Sequence, residues 1–409
     1  MSHSAVPHVV IPITEGIDIR SRRTALLLVA SGFRVTLVAM AYPWDREVDD
    51  TAPFEVVYLD PVETTSTAHQ RFILIASNLT VQKARTRMRQ RRLGLFGWRQ
   101  LRDTIVALEP DVIHAMNAKT LKASAEAARI LGVPFIYDAH EYWPDHAREL
   151  FLRLSKSERA FLLESEHDYL PEAAAVITIS QYLARKYQES YTLSTEPTVI
   201  YNAPLSTIRQ ALPVHAPVRF VFMGNLQKER NIRMLFEVAA REPDIHLAFQ
   251  GSGELAPWLH DEIEKRDLSA RIEVRPPVPY DELGDSLSAF DVGVICHKPY
   301  NDQMEGALPN KFFDSISAGL AVIASDTAVF RAFPAIETFG ILFDPYSPDS
   351  LREALQFYAT HPEVVQQHKK NALAAAQNFT LECQSRQLGL LYQGILAELL
   401  DTVDQLDGA

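Results

Sequence analysis

Lys311 and Asp314 stand three residues apart in the run Pro309-Asn310-Lys311-Phe312-Phe313-Asp314. On a helix opening near Pro309 they share a face close to its N-terminus. The free N–H groups and dipole of a helix start attract phosphate, and a lysine there adds a point charge. A carboxylate one turn on can accept hydrogen bonds from two vicinal hydroxyls, such as those of a ribose. The pair fits a clamp for a nucleoside diphosphate. The plain alternative is a solvated Lys–Asp pair on an ordinary helix. Gly306 lies in the polar stretch from Asn301 that reads as a loop, and Gly16, after the first apolar run, lets its own loop approach a ligand closely or is an ordinary turn glycine.

A second cationic entry lies upstream. Gly224-Asn225-Leu226-Gln227-Lys228-Glu229-Arg230-Asn231 follows an apolar run and precedes a helical pattern. It is a glycine-started turn with Lys228 and Arg230 at the helix entry, suited to phosphate, although two exposed cations at a helix start are common. GxxxxGK[ST] is absent, which argues against a P-loop ATPase. Gly251-Ser252-Gly253 is less than a full dinucleotide fingerprint and is either a nucleotide edge or a tight turn. His114 and His140 each end an apolar run, and Gly16 follows the first one. Either histidine is a candidate ligand contact or a structural residue. His140-Glu141 lacks a second ligand at helical spacing, so a metal site is disfavoured there. There is no Asp-x-Asp motif to hold a metal-bound sugar nucleotide.

Short apolar runs alternating with helical patterns must position these residues. Strands are expected at Val6–Ile13, Arg34–Met40, Phe54–Leu59, Asp111–Ala115, Pro134–Asp138, Ala174–Ile179 and Thr198–Tyr201, then at Val218–Met223, Ile245–Gln250, Arg271–Val274, Asp291–Cys296, Ala321–Ala324 and Gly340–Phe343. Near-continuous apolar strands between helices imply parallel, doubly wound sheets, which bind ligands beyond the C-terminal ends of their strands. Asn202 to Pro217 is rich in proline and polar residues and reads as a linker. The expected organisation is an N-terminal domain over 1–201, a linker over 202–217 and a C-terminal domain over 218–380. Thr380 caps a long amphipathic helix, about 384–405 being its main part, with Leu388, Leu391, Ile395 and Leu399 on one face.

The 409 residues suit two cores. A net charge of −12 argues against general nucleic-acid binding. Two cysteines, Cys296 and Cys383, form neither a disulfide framework nor a zinc site, and point to a reducing compartment. The N-terminus reads as a first strand rather than a signal peptide, and no apolar run reaches bilayer length. Lys83 to Arg102 departs from the rest of the chain, with eight basic residues and no acidic one. Leu93, Leu95, Phe96 and Trp98 follow Arg87, Arg89, Arg91 and Arg92 and precede Arg99 and Arg102. Such a segment suits an anionic membrane surface, or else is a solvated helix face with a loop docked on the core.

Together these stretches resemble a known family. Asp111-Val112-Ile113-His114 is similar to a strand ending "DvvH", and Ile136 to Glu141 to "vyDaHE". Gly224 to Asn231 resembles "G.l...KG", and Gly251 to Glu254 resembles "G.Gpe". Asp314 to Gly319 resembles "EAmA.G", with Ala321 to Ala324 as the following "PVVa". Phe379 to Glu382, with Leu390-Leu391-Tyr392, resembles "fsWe....L..lY". The chain is thus similar to GT-B glycosyltransferases, and within them to the retaining family 4, the group 1 set. The resemblance implies two doubly wound Rossmann-like domains facing a central cleft, with the C-terminal helix crossing back to the first.

It also implies a metal-independent, retaining hexosyltransferase with no cofactor and a nucleotide-diphosphate sugar as co-substrate. His140, Arg230 and Lys311 would be catalytic, His140 at the donor sugar and the two cations on the diphosphate. Asp314 would take the ribose. Gly16, His114, Gly224, Asn225, Gly251, Glu305, Gly306, Ala307 and Leu308 would line the donor. The family's paired glutamates, eight apart, become Gly306 and Asp314 here, its Lys-Gly becomes Arg230-Asn231, and its first-loop glycine pair is reduced to Gly16. The acceptor would be a glycan or a lipid-linked chain in envelope polysaccharide or glycolipid assembly. The setting would be cytoplasmic, peripheral on the inner face of the membrane if the basic segment binds it. The competing readings are a sugar-nucleotide epimerase of the same fold and a non-catalytic, partner-binding relative.

Overall fold

The computed structural model describes residues 6–14, 17–40, 46, 51–60, 97–146, 154–202, 204 and 210–407. Glu15 and Gly16, the arginines at 87, 89, 91 and 92, and Phe96 lie outside the described residues.

The chain divides into two compact units. The first holds residues 1–179, 183–200 and 384–409; the second holds 180–182 and 201–383. Unit 1 runs β1 (His8–Ile13), α1 (Ile19–Ala30), β2 (Arg34–Met40), β3 (Glu55–Leu59), α2 (Trp98–Ala107), β4 (Val112–Met116), α3 (Ala118–Leu131), β5 (Phe135–Asp138), α4 (Trp143–His146), α5 (Lys156–Tyr169), β6 (Ala175–Thr178), α6 (Gln181–Tyr191) and β7 (Thr198–Val199). All its strand pairs are parallel, in the order β3-β2-β1-β4-β5-β6-β7. β1, β4 and β5 are buried along their whole length, which is why they read as continuous apolar runs. Local signals set the helix starts. Asp18 and Ser21 form a capping box on α1, and Ser155 and Glu158 form another on α5. Gly132, left-handed at φ +69°, ends α3.

Unit 2 runs β8 (Arg219–Met223), α7 (Ile232–Arg241), β9 (His246–Gln250), α8 (Ala256–Lys265), β10 (Ile272–Arg275), α9 (Leu283–Leu287), β11 (Val292–Ile295), α10 (Asp302–Gly306), α11 (Asn310–Ser317), β12 (Ala321–Ser325), α12 (Ala328–Arg331), β13 (Gly340–Phe343), α13 (Pro348–Thr360) and α14 (Pro362–Ala376). Its parallel strands lie in the order β10-β9-β8-β11-β12-β13. Phe220, Phe222, Phe236 and Phe249 fill the core under this sheet, each contributing roughly 1.5–3 kcal/mol by burial. Buried Asp291 accepts from Lys369 Nζ (2.8 Å) and from the backbone N–H groups of Arg219 (3.0 Å) and His215. That carboxylate holds the end of the expected linker against the second unit.

The last helix, α15 (Leu381–Asp407), belongs to unit 1 from Gln384 onward. Thr380 Oγ1 accepts from Cys383 N–H at its start. Its fit against α1 is close. Ser385 Oγ donates to Leu27 O (2.8 Å), and a Cβ on Gly389 would stand 2.9 Å from Ser31 Oγ. One expectation changes. The stretch around Gly306 is not a loop but the one-turn helix α10, because Asn301 Oδ1 caps it by accepting from Met304 N–H (2.9 Å).

In each sheet the strand order reverses once, at β1/β4 and at β8/β11. Doubly wound sheets bind ligands beyond the strand ends at these points.

Candidate active site

In unit 2 the turn after β8 and the start of α11 bring two cations, Arg230 and Lys311, near each other. β8 ends at Met223 and turns through Gly224, whose φ of +112° favours glycine. Lys311, in the first turn of α11, brings its Nζ to 3.8 Å from the centre of the Phe222 ring. It also passes Gly224, where a Cβ would sit 3.7 Å from Nζ. Burial first, and then the positive charge of Arg230, draw the Lys311 ammonium down to about 7. Arg230 closes a 3-10 turn over Lys228–Arg230. Asn231 follows in the left-handed region at φ +55° and donates to Pro345 O (2.9 Å), which fixes the turn. Among the described residues neither Arg230's guanidinium nor Lys311's ammonium has a hydrogen-bond or ion-pair partner. Lys228, by contrast, faces Glu254. Two adjacent cations without a counter-anion are an unfavourable pair that an anionic ligand relieves.

Asp314, one turn along α11 from Lys311, is 7% exposed. Its Oδ1 accepts from Tyr280 OH at 2.8 Å. Tyr280 is a partner that sequence spacing does not reveal, since 34 residues separate the two. His297 also joins the site. Its Nε2 lies 3.2 Å from Met304 O, and a carbonyl only accepts, so that nitrogen carries the proton. Burial, with the charges of Arg230 and Lys311, pushes the His297 imidazole down to about 4. It is a neutral brace under α10.

Several expected donor-lining residues take other places. Gly251 is buried, and a Cβ on it would stand 1.9 Å from Gly224 O. Its lack of a side chain lets the β9 loop interlock with the β8 loop, which Leu226 N–H to Ser252 O (2.8 Å) completes. Its role is therefore in the fit of these two loops. Leu308 is 2% exposed and packs with Phe312, Phe313 and Phe330, so its side chain belongs to the core. Glu305 Oε2 accepts from Ala328 N–H (2.7 Å) at the start of α12, which turns that oxygen away from a ligand. Gly306 is buried, with its carbonyl accepting from Ser180 Oγ (2.7 Å). Ala307 is half-buried and Asn225 exposed beside Gly224.

In unit 1 a buried polar chain stands beneath His140. The ladder sets Met116 beside Asp138, so β4 and β5 end together. Asp138 accepts from Arg20 at both oxygens, Nη2 to Oδ1 at 2.9 Å and Nε to Oδ2 at 3.1 Å. Arg20 Nη1 also donates to Ile200 O (3.1 Å). Burial alone would raise the Asp138 carboxyl. The Arg20 charge and the hydrogen bond from His114 outweigh burial and hold it well below the usual carboxylate range. His114 Nε2 faces this carboxylate at 3.2 Å and so carries the proton, which leaves Nδ1 to accept from Tyr392 OH at 2.7 Å. His114 is 0% exposed with both nitrogens taken. That corrects the expectation of direct donor contact: it supports Asp138. His140, two residues beyond Asp138, is half-buried, and its Nδ1 has no hydrogen-bond partner among the described residues.

Trp98 follows the second of its two expected readings. Its half-buried ring has Arg99 at 4.6 Å, Lys122 at 4.7 Å and Arg102 at 5.5 Å. Cations cover its ring and it packs toward α3, as a tryptophan docked on its own domain does. Among the described residues no three His, Cys, Asp or Glu side chains gather as a metal site. No described helix is long and apolar enough to cross a membrane.

Known proteins place this geometry. Residues 15–203 match the glycosyl transferase 4-like domain, and residues 206–375 match the glycosyl transferases group 1 domain. No curated protein matches the chain in sequence. Among solved structures, Alr3699/HepE of Anabaena in complex with UDP superposes with a TM-score of 0.68 at 16% identity, over 95% of this chain and 100% of that one. Sucrose-phosphate synthase from Thermosynechococcus elongatus gives 0.71 at 16% identity, over 96% and 100%. WaaG, a glycosyltransferase involved in lipopolysaccharide biosynthesis, gives 0.64 at 14% identity, over 93% and 98%. At these identities the structures speak for the fold alone. The two domain matches leave only residues 204 and 205 between them, and with two parallel doubly wound sheets they establish that the chain belongs to the group 1 glycosyltransferases of GT-B fold.

Proposed function

We propose that this glycosyltransferase moves a hexose from a nucleoside-diphosphate sugar to a glycan or lipid-linked acceptor, with retention and without a metal ion. The observation that carries the reading is the unpartnered pair Arg230 and Lys311 at the β8/β11 edge. They would hold the diphosphate and stabilise it as the bond from the anomeric carbon to phosphate breaks and the electron pair moves to the phosphate oxygen. The acceptor oxygen bonds to that carbon from the same face, and its proton passes to the departing phosphate. Asp314 would take the ribose hydroxyls, and His140 a hydroxyl of the donor sugar. Gly224 and Asn225, with backbone from residues 305 to 308, would complete the donor wall. Two fixed cations supply the positive charge that a metal supplies elsewhere.

Structures of similar fold support a nucleotide donor. The Anabaena protein is described in complex with UDP and with UDP-glucose. WaaG's part in lipopolysaccharide assembly supports an envelope acceptor. The basic segment Lys83 to Arg102 supports one held at an anionic membrane. A thermal-shift panel of UDP-, GDP-, ADP- and dTDP-sugars tests the reading, because a ligand that binds the folded state raises the midpoint. At least one is expected to raise it, and Arg230→Ala should abolish the rise. A panel without a responder overturns the proposal.

A further inference from the structure

Glu166, on α5, is 0% exposed. It meets no cation. Three phenols close on its carboxyl group: Tyr137 from β5 and Tyr187 (2.9 Å) at Oε1, and Tyr191 at Oε2. Tyr187 has a second task. Its hydroxyl lies 2.6 Å from Glu141 O, the residue directly after His140. Trp143 N–H donates weakly to the same hydroxyl (3.4 Å), and Tyr142 OH meets Ser190 Oγ (2.6 Å). Thus α6, with Tyr187, Ser190 and Tyr191, holds the turn that carries His140.

Counting protons gives this cluster a direction. Four oxygen–oxygen contacts need four protons: three phenols on Glu166, and Tyr187 on Glu141 O. Three phenols supply three. With Glu166 ionised, the single proton of Tyr187 serves either the carboxylate or the Glu141 carbonyl, and the other contact leaves two lone pairs facing. With Glu166 protonated at Oε1, that proton goes to Tyr187, Tyr187 donates to Glu141 O, and every contact is made. A buried network is stable when fully satisfied and costly when one member is short.

We propose that Glu166 is a positioning residue whose carboxylic-acid proton lets Tyr187 hold the Glu141 carbonyl, and so fixes the place of His140. The inference rests on the reading of His140 as a donor-sugar contact. Burial pushes the Glu166 carboxyl up to about 7 against the pull of the three phenols. Tyr137 and Tyr187 are raised well above their ordinary value, so both stay donors. Other charged groups around α5 do not oppose this. Lys122 on α3 is paired with Glu126 and Tyr169 OH, Lys119 lies 5.9 Å from the Trp143 ring, and His167 meets Asp168 at the surface. Asp145 is on α4, the short helix after the turn.

The test follows the backbone ¹⁵N shift of Tyr142, whose peptide carbonyl is Glu141 C=O, from mildly acidic to mildly alkaline pH in the full chain. Wild-type protein is expected to inflect near pH 7. Glu166→Gln, a permanently neutral donor and acceptor, should hold the low-pH shift throughout, and Tyr187→Phe should also be flat. A flat wild type, or an inflection that persists in Glu166→Gln, overturns the proposal. In turnover of whichever nucleotide sugar raises the melting midpoint, kcat should fall through the same inflection by on the order of tenfold, with donor KM within about twofold. Glu166→Gln should remove that limb. A kcat limb unchanged in Glu166→Gln overturns the link to His140. If the wild type binds and turns over no nucleotide sugar, the reading of the site falls, and the Tyr142 shift still decides whether Glu166 governs the turn.

Discussion

With its ammonium drawn down to about 7, Lys311 is only partly charged at neutral pH before a ligand arrives. A diphosphate beside it favours the charged form and raises that value again. Binding therefore takes up a proton, and donor affinity should fall as pH rises above about 7. Calorimetry in buffers of different ionisation enthalpy reads this uptake directly. Lys311→Met should abolish the uptake and weaken donor binding by roughly 10- to 100-fold, the range of a charge-assisted hydrogen bond of about 1.5–3 kcal/mol. Equal heats in all buffers would count against it. Lys311 and Asp314 were legible because helical spacing puts them on one face. Arg20 and Tyr392 were not legible in their roles. Their partners lie 118 and 278 positions away, and no local pattern records a contact of that span.

At the scale of elements, the strands of both sheets were readable from apolar runs, most plainly the central β1, β4 and β5, whose burial on both faces leaves no alternation to misread. The α10 turn was hidden by its brevity: a one-turn helix made by an Asn301 cap looks like a polar loop. The paired glycines after β9 suggested ligand contact, but their cause is the crossing of two loops. Gly251→Ala would force its Cβ against Gly224 O, 1.9 Å away, at a φ of +151°. It should cost on the order of 1–3 kcal/mol, and should weaken donor binding by displacing Gly224, measured together by denaturant unfolding and titration. Within unit 1, the Tyr392 hydroxyl ties α15 to His114 on β4. Tyr392→Phe leaves His114 Nδ1 buried without a donor and should cost about 1–3 kcal/mol of unit 1 stability. No change in the unfolding midpoint would show that the contact carries no net weight.

For the whole molecule, charge is divided unevenly. A chain of net charge −12 concentrates eight cations, without one anion, between residues 83 and 102. If that segment docks on membrane, the protein should float with vesicles containing anionic lipid and not with neutral ones. Attachment should weaken with salt as screening shortens. Neutralising Arg87, Arg89, Arg91 and Arg92 together should release it, and salt-insensitive flotation would exclude the electrostatic reading. The division of the chain into units has its own consequence during synthesis. A nascent chain that has reached Cys383 contains all of the second unit, whereas the first still lacks residues 384–409. Until Tyr392 emerges from the ribosome, the Arg20–Asp138–His114 chain is open at one end. The domain begun first is thus completed last, and a stall shortly before residue 392 would yield a chain with a finished second unit and an unsealed first one.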